Sequence, residues 1–267
     1  MTRQTSSTRT RVLLMAASLV CVMTFQLAAD EPTQYHRDLL RQADANWSFM
    51  ESDFSAEYTI VRDVPGEGQS ETVAAVFRRD AEELYTILIM EPAIDRGQGY
   101  LKQGDTLWFY DPDSHRFNST SSRDRFQNSN ARNSDFTRST LAEDYEILSV
   151  ERVRLGRYDA WLYELESDSA GVTYPYMRLW LSDEAQILKT EDHSLSRQLL
   201  RITAVPEYQQ VGGRSVPRTV YIIDMLEGAV IDGQFVSERT VLSINRPSLA
   251  PLPDSVFSKT FLENASQ

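Results

Sequence analysis

From residue 54 onward the chain keeps returning to one pattern: a short run in which apolar and polar side chains alternate, then a tight polar turn. The runs "FSAEYTIVR" (54–62), "ETVAAVFRR" (71–79) and "LYTILIME" (84–91) are separated by "DVPGEGQS" and "DAEE". Beyond residue 145 come "YEILSVERVRL", "RYDAWLYELES", "YMRLWLSD", "ILKTEDH", "LLRITAV", "RTVYIIDML" and "FVSERTVLSI", again with short Gly- and Asp-rich connections. A period of two is the spacing of a strand that shows its two faces to different surroundings. About ten such strands with short links describe an antiparallel meander, and a flat open sheet of that size is uncommon. The expectation is a mainly β fold built on one antiparallel sheet that curls.

Helical spacing is confined to the margins. In "EPTQYHRDLLRQADANWSFM" (31–50), Tyr35, Leu39, Leu40, Ala43 and Trp47 fall on one face and Arg37, Asp38, Arg41 and Gln42 on the other, which predicts an amphipathic N-terminal helix. At the other end, "PLPDSVFSKTFLENASQ" offers Asp254 as an N-cap and Val256, Phe257, Phe261 and Leu262 as an apolar face for a helical turn packed on the sheet. Residues 118–139, "NSTSSRDRFQNSNARNSDFTRS", are polar and too long for a hairpin turn, so they form an inserted mobile loop, followed by a short helix that starts in "STLAED".

The first residues carry a targeting signature. Arg3, Arg9 and Arg11 precede the apolar run "VLLMAASLVCVMTF" (12–25), and Ala28 and Ala29 are small enough for cleavage. Residues 1–29 are therefore expected to be a signal peptide and 30–267 the mature domain. The run is shorter than the ~20 residues that usually span a bilayer. The single cysteine, Cys21, lies inside it, so the mature chain reaches stability in an oxidising compartment by burial alone, which favours a periplasm. A formal net charge of −12, made more negative by loss of the three arginines, excludes a basic field for phosphate and hence nucleic acid as a partner.

Signatures of catalysis and metal binding are absent from the sequence. His36, His115 and His193 fall on a helix, a turn and a strand end, without an HExxH pair or a cysteine partner; surface positions are expected for them. No G-x-S-x-G elbow occurs, and "DPDSH" (111–115) lacks the later glycine and glutamate of a calcium loop, so it reads as a tight turn. No catalytic residue, metal or cofactor is implied.

What remains is apolar surface at period two. Trp161, Tyr163 and Leu165 share one face; Met177, Leu179 and Leu181 share another such face, with Tyr176, Arg178 and Trp180 turned away. Periodicity leaves two readings open for these faces: an ordinary core covered by the helices, or the wall of a ligand cavity.

The stretch "MEPAIDRGQGYLKQGDTLWFYDP" with the later "NSDFT" resembles the LolA-like outer-membrane lipoprotein-sorting proteins. The family's Met-x-Pro, Gly and apolar positions fall on Met90, Pro92, Gly97 and Leu101. Its Trp-x-Tyr-x-Pro falls on Trp108, Tyr110 and Pro112, and its Ser-Asp-Phe on Ser134, Asp135 and Phe136, with Asn133 where a glycine is usual. "LWLSDEAQILKTE" is similar to the family's Trp-x-x-Asp strand and Leu-Lys-x-Glu return, at Trp180, Asp183, Leu188, Lys189 and Glu191. The resemblance implies a half-open β-barrel whose mouth is plugged by helices, and a non-enzymatic periplasmic carrier that binds acyl chains of lipoproteins or a related lipid and shuttles them towards the outer membrane. It implies an ABC-type lipoprotein-release permease as the membrane partner and a monomeric state. On this basis Trp108, Tyr110, Trp161, Tyr163, Met177 and Leu179 are candidates for the cavity wall. Arg116, Arg123, Arg125, Asp135 and Phe136 are candidates for a lid or partner-docking loop that contributes little to stability. The alternative is a regulatory or lipid-sensing module on the same scaffold with a filled core; a hydrolase would need a nucleophile and base assembled by folding.

Overall fold

The computed structural model describes residues 33–169 and 171–265. The expected signal segment, Cys21 included, lies outside the described residues. Among those described, no helix is long and apolar enough to cross a membrane.

Thirteen antiparallel strands form one sheet that does not close. The first six are β1 (Phe54–Val64), β2 (Gly68–Arg79), β3 (Leu84–Glu91), β4 (Gly99–Gln103), β5 (Thr106–Asp111) and β6 (Arg116–Thr120). The others are β7 (Glu146–Leu155), β8 (Tyr158–Glu166), β9 (Tyr176–Leu181), β10 (Ile187–His193), β11 (Leu199–Val211), β12 (Arg214–Ile231) and β13 (Gln234–Ser248). Spatially the order runs from β6 back to β1, across to β13, and back again to β7. The two halves of the chain thus meet at the β1/β13 seam, and β6 and β7 are the free edges. Among the described residues the α-helices are α1 (Gln34–Trp47), α2 (Leu141–Asp144) and α3 (Lys259–Ala265).

Helix α1 lies on the inner face, burying Leu39, Leu40 and Ala43 as its spacing predicts, while Tyr35 remains exposed. The inner face holds the main core, to which nearly every strand contributes alternate residues: Phe54, Ala56, Tyr58 and Ile60 from β1, Ile87 and Ile89 from β3, Tyr163 and Leu165 from β8, and Met177, Leu179 and Leu181 from β9. The outer face carries two smaller clusters. One groups Ala160, Leu162 and Trp180. The other groups Leu101, Tyr110 and Leu262, with Trp108, Phe117 and Phe261 around them, under the C-terminal segment. Helix α3 can come this close because Gly99 has no side chain. A Cβ there would stand 2.5 Å from a Leu262 methyl and 2.8 Å from the Ile87 carbonyl oxygen.

Several expectations are corrected. Asp254 does not cap the C-terminal 3-10 turn Asp254–Phe257, whose N-cap is Pro253; its carboxylate instead accepts from Arg79 Nη1 at 2.6 Å. His193 is buried, not on the surface, because its ring stacks edge-on to Tyr176 and its Nδ1 lies 3.0 Å from the Glu191 carbonyl oxygen. The short strands β4 to β6 raise the number from about ten to thirteen. The aspartate-rich turn at 111–115 is as expected: Asp111 accepts from the Asp113 amide at 3.0 Å and from the Ser114 hydroxyl at 2.8 Å.

Candidate functional site: a plugged hollow

The curled sheet encloses a hollow, and the connection between β6 and β7 enters it. Residues 118–139 were expected to be a mobile loop with few apolar anchors. The first three end β6, and residues 121–140 are instead an anchored plug. Phe126, Ala131 and Phe136 are fully or almost fully buried in the main core. The ring of Phe136 lies 4.7 Å from that of Phe126 and 5.8 Å from that of Tyr58, and Phe126 lies 4.9 Å from Tyr100. A single bridge between Arg125 and Arg132 pinches the segment into a small hairpin. The sequence signal for this was the pair of phenylalanines ten residues apart in an otherwise polar stretch, outweighed by its Ser and Asn content.

Polar contacts fix the plug at three points. At its tip, Asn130 donates from Nδ2 to Glu238 Oε1 at 3.0 Å, and its Oδ1 accepts from the Thr240 hydroxyl at 2.8 Å. Glu238 is buried and also accepts two bonds from Arg62, at 2.8 and 2.9 Å. Nearby, Arg125 donates to Asp224 Oδ2 at 2.7 Å. At the far end, the α1 residue Asp44 accepts from the Ser139 hydroxyl at 2.6 Å and from the Leu141 and Ala142 amides at 2.8 and 2.7 Å. It therefore caps α2, whose own Thr140 makes no side-chain cap bond, and burial pushes its carboxyl above the ordinary aspartate value against the pull of these bonds.

The third point lies in the hollow itself. In the 3-10 turn Asn133–Phe136, Asp135 accepts from the Arg132 amide at 2.7 Å and from Arg201 Nη1 at 2.8 Å. Arg201, on β11, also donates from Nε to Asp192 Oδ2 of β10 at 2.7 Å, and its guanidinium lies 4.7 Å from the Tyr174 ring centre. Burial opposes the charge on Arg201, yet Asp135 and Asp192 outweigh it and hold the group firmly protonated. For Asp192, which has no exposed surface, burial wins over Arg201 and shifts its carboxyl upward. Removing one member of such a group strands the others in low dielectric.

The plug divides the space into two parts. Inside is an apolar cavity of about 190 Å³ between the plug and β1, β9 to β13 and the end of α1; Phe49, Phe54, Tyr58, Met177, Val220 and Leu242 line it. Outside lies a polar mouth of about 480 Å³, bordered by Tyr85, Lys102, Tyr145, Tyr174 and Arg201. Both parts touch Ser134, Thr137, Arg138, Ser139 and Leu141, together with Met177 of β9 and Arg201 of β11, so the end of the plug and these two sheet residues form the wall between them.

Against this geometry the candidate residues separate. Met177 lines the cavity and the mouth. Tyr163 and Leu179 lie on the inner face in the main core without bordering the cavity, and Tyr163 is bonded through its hydroxyl to His36 Nδ1 at 2.9 Å. Trp161 packs at the margin of that core, its indole donating to Asp183 at 3.0 Å. Trp108 and Tyr110 are on the opposite face of the sheet, beneath the C-terminal segment, where Lys259 Nζ stands 4.4 Å from the Trp108 ring centre. They do not border the cavity: alternation places Trp108 and Tyr110 together but leaves open which face is inward, and it is Leu107 and Phe109 that turn in. In the plug, Asp135 and Phe136 come together with Arg201, and Arg125 joins the tip contacts. Arg123 donates to the Val172 carbonyl at 3.1 Å, whereas Arg116 is exposed on β6. The sequence reading missed Arg201, Asp192, Thr190 and Thr203, which face the cavity from β10 and β11.

Among the described residues no cluster of His, Cys, Asp and Glu is arranged to hold a metal ion.

Comparison with known proteins bears on this plugged half-barrel. A family described as "Uncharacterized protein" matches residues 81–264. No curated protein matches the chain. Among solved structures, a LolA superfamily protein from Nitrosomonas europaea is similar at 25% identity and a TM-score of 0.69, over 84% of this chain and 98% of that one. A DUF1329 family protein from Desulfovibrio piger aligns at 17% identity and a TM-score of 0.72, over 87% and 99% of the two chains. A putative outer membrane lipoprotein-sorting protein domain from Vibrio parahaemolyticus aligns at 18% and 0.70, over 85% and 97%. The chain belongs to the family that matches residues 81–264, and its fold is the LolA-like fold of the outer-membrane lipoprotein-sorting proteins.

Proposed function

We propose that residues 30–267 form a periplasmic carrier, reached through cleavage of the signal segment 1–29, that shelters acyl chains of lipoproteins or a related lipid in the hollow and delivers them towards the outer membrane. The observation that carries this reading is the plug: an apolar hollow closed by a segment held there by side-chain contacts such as Asp135 to Arg201 and Asn130 to Glu238. Such contacts can be exchanged without breaking the sheet. An acyl chain of ~16 methylenes forfeits on the order of 13 kcal/mol in water at ~0.8 kcal/mol per methylene, so it needs a cover to cross an aqueous compartment. Moving it between a bilayer and an apolar hollow is close to neutral by the same measure, and no chemical step is required.

The cavity of about 190 Å³ is smaller than the ~300–1,000 Å³ of ordinary small-molecule sites. Loading on this reading displaces Phe126 and Phe136, exchanging aromatic for aliphatic contacts and joining the cavity to the mouth. A permease of the ABC lipoprotein-release type is the expected donor. The same small cavity favours the second reading, a regulatory or lipid-sensing module whose hollow stays filled by its own plug. Native mass spectrometry of protein purified from the periplasm separates the two: a carrier retains acylated ligand, and consistently ligand-free protein, even after incubation with acylated lipoprotein, defeats the carrier reading.

A further inference from the structure

Apart from the polar side chains of the plug (Ser134, Asp135, Thr137, Arg138, Ser139) and Asn46 and Arg78 at its end, the cavity wall carries polar groups on one short segment of the β10/β11 pair. Thr190 is opposite Thr203 and Asp192 is opposite Arg201, so all four side chains share the inward face, and all four border the cavity. Asp192 uses Oδ2 for Arg201. Among the described residues its Oδ1 is buried and makes no hydrogen bond of normal distance and angle, although the Thr190 hydroxyl beside it helps hold the carboxylate, and Thr203 Oγ1 is likewise buried and unbonded. Unpaired buried polar atoms are exceptions in folded proteins and call for an explanation. Here two of them stand on adjacent strands, against the one space in the interior that the carrier reading assigns to a ligand.

Their chemistry is complementary to a particular group. An ionised carboxylate oxygen only accepts, whereas a threonine hydroxyl also donates. A secondary amide presents one N–H and one C=O. The N–H suits Asp192 Oδ1 and the carbonyl suits the Thr203 hydroxyl. An ester lacks the donor and leaves Asp192 unpaired, while a free fatty-acid anion brings a second negative charge beside a carboxylate already buried.

We propose that Asp192 and Thr203 form a polar subsite that selects amide-linked acyl chains over ester-linked chains and free fatty acids. The inference rests on the carrier reading and narrows its ligand class; an N-acylated peptide terminus and an N-acyl lipid both present this amide, and the test distinguishes them. Selection of this kind is effective because a site built around a hydrogen bond is left with an unpaired buried group when the analogue lacks it.

The test is displacement of a fluorescent acyl probe by two ligands that differ only at N–H versus O: N-palmitoylglycine methyl ester and its O-palmitoylglycolate counterpart. The wild-type protein is expected to bind the amide about tenfold more tightly. Thr203→Val removes an unpaired buried hydroxyl without changing side-chain shape, so it keeps or raises the unfolding midpoint; in it the preference drops to within about twofold, and Thr203→Ser restores it. A palmitoylated tripeptide compared with N-palmitoylethanolamine then tells the two sources apart, the tighter ligand naming the source. Equal affinity for the amide and ester in wild type, or an unchanged preference in Thr203→Val, overturns the subsite alone. Failure of the probe and of every ligand to bind overturns the carrier reading and the subsite with it.

Discussion

The inner and outer faces of the sheet are both apolar at period two, yet they are closed in different ways. Outside, Trp108 and Tyr110 are covered by Phe261 and Leu262 from a helix that fits the sheet at Gly99, with charge only at the margin, where Lys259 lies over the Trp108 ring and exposed Asp254 meets Arg79. Inside, the covering segment brings charge with it: Asp135 and Arg125 enter the fold and meet Arg201, Asp192, Asp224 and Glu238. The outer contact is chiefly one of shape. The inner one has its position specified by buried ion pairs, which add little net stability compared with apolar packing but penalise any wrong arrangement.

Three experiments bear on that contrast. The largest effect is expected from Arg201→Ala, which leaves Asp192 buried beside Asp135 without a cation and lowers stability by about 3–5 kcal/mol in urea unfolding. The double change Arg201→Met with Asp192→Leu should recover most of it, and if it does not, the inner face depends on charge for more than position. Next, Leu262→Ala empties a packed site with no polar group and is expected to lower stability by about 3 kcal/mol. Acyl-ligand retention in that variant should match the wild type; a parallel loss of ligand would mean that the two faces act together.

The smallest effect is on acid stability, and there the faces differ in sign. Asp53, near the C-terminal segment, is held below the ordinary aspartate value chiefly by hydrogen bonds from Arg79, with a further bond from the Leu252 amide at 2.6 Å. A depressed acid contributes stability in full above its unfolded value of about 3.9, and the contribution fades as pH falls through the lower folded value. Asp192, whose carboxyl burial raises above its unfolded value, loses a destabilising contribution as pH falls through that raised value, so it gains where Asp53 loses. Hydrogen exchange below pH 4 should therefore show protection lost first at the Leu252 amide, and Asp53→Asn should abolish that pH dependence while lowering protection throughout. Equal loss at Leu252 and at the Asn130 amide, which bonds to Thr240 in the hollow at 2.9 Å, would erase the contrast.

How much of this was legible in the sequence follows from which forces act locally. The strands, α1 and the C-terminal apolar face were readable because each is set by a spacing of two or 3.6 residues within one segment. Strands β4 to β6 were harder, being short and joined by turns that break the alternation after five or six residues. The resemblance located Trp108, Tyr110, Asp135 and Phe136 in the chain but carried no information on inward and outward, which depends on the curl of the whole sheet. The polar side of the cavity was invisible for a related reason. Within their own strands nothing marks Asp192 and Arg201 apart from other charged residues, and only pairing β10 with β11 in register, with Asp135 arriving from 66 residues away, makes them a buried group.

The plug is also the chain's own link between β6 and β7, the two free edges of the sheet. A segment tethered at both ends is never diluted: once displaced, it stays near the hollow at an effective concentration that for short flexible linkers is on the order of millimolar. Any molecule entering the hollow therefore competes with a resident that does not diffuse away. Its apparent affinity is lowered by the fraction of time the resident is in place, and its departure is hastened by the resident's return. On the carrier reading, a protein with a shorter plug, or one lacking Phe126 and Phe136, would bind its ligand more tightly and release it more slowly, so the length and apolar content of one polar-looking loop would set the ligand's residence time.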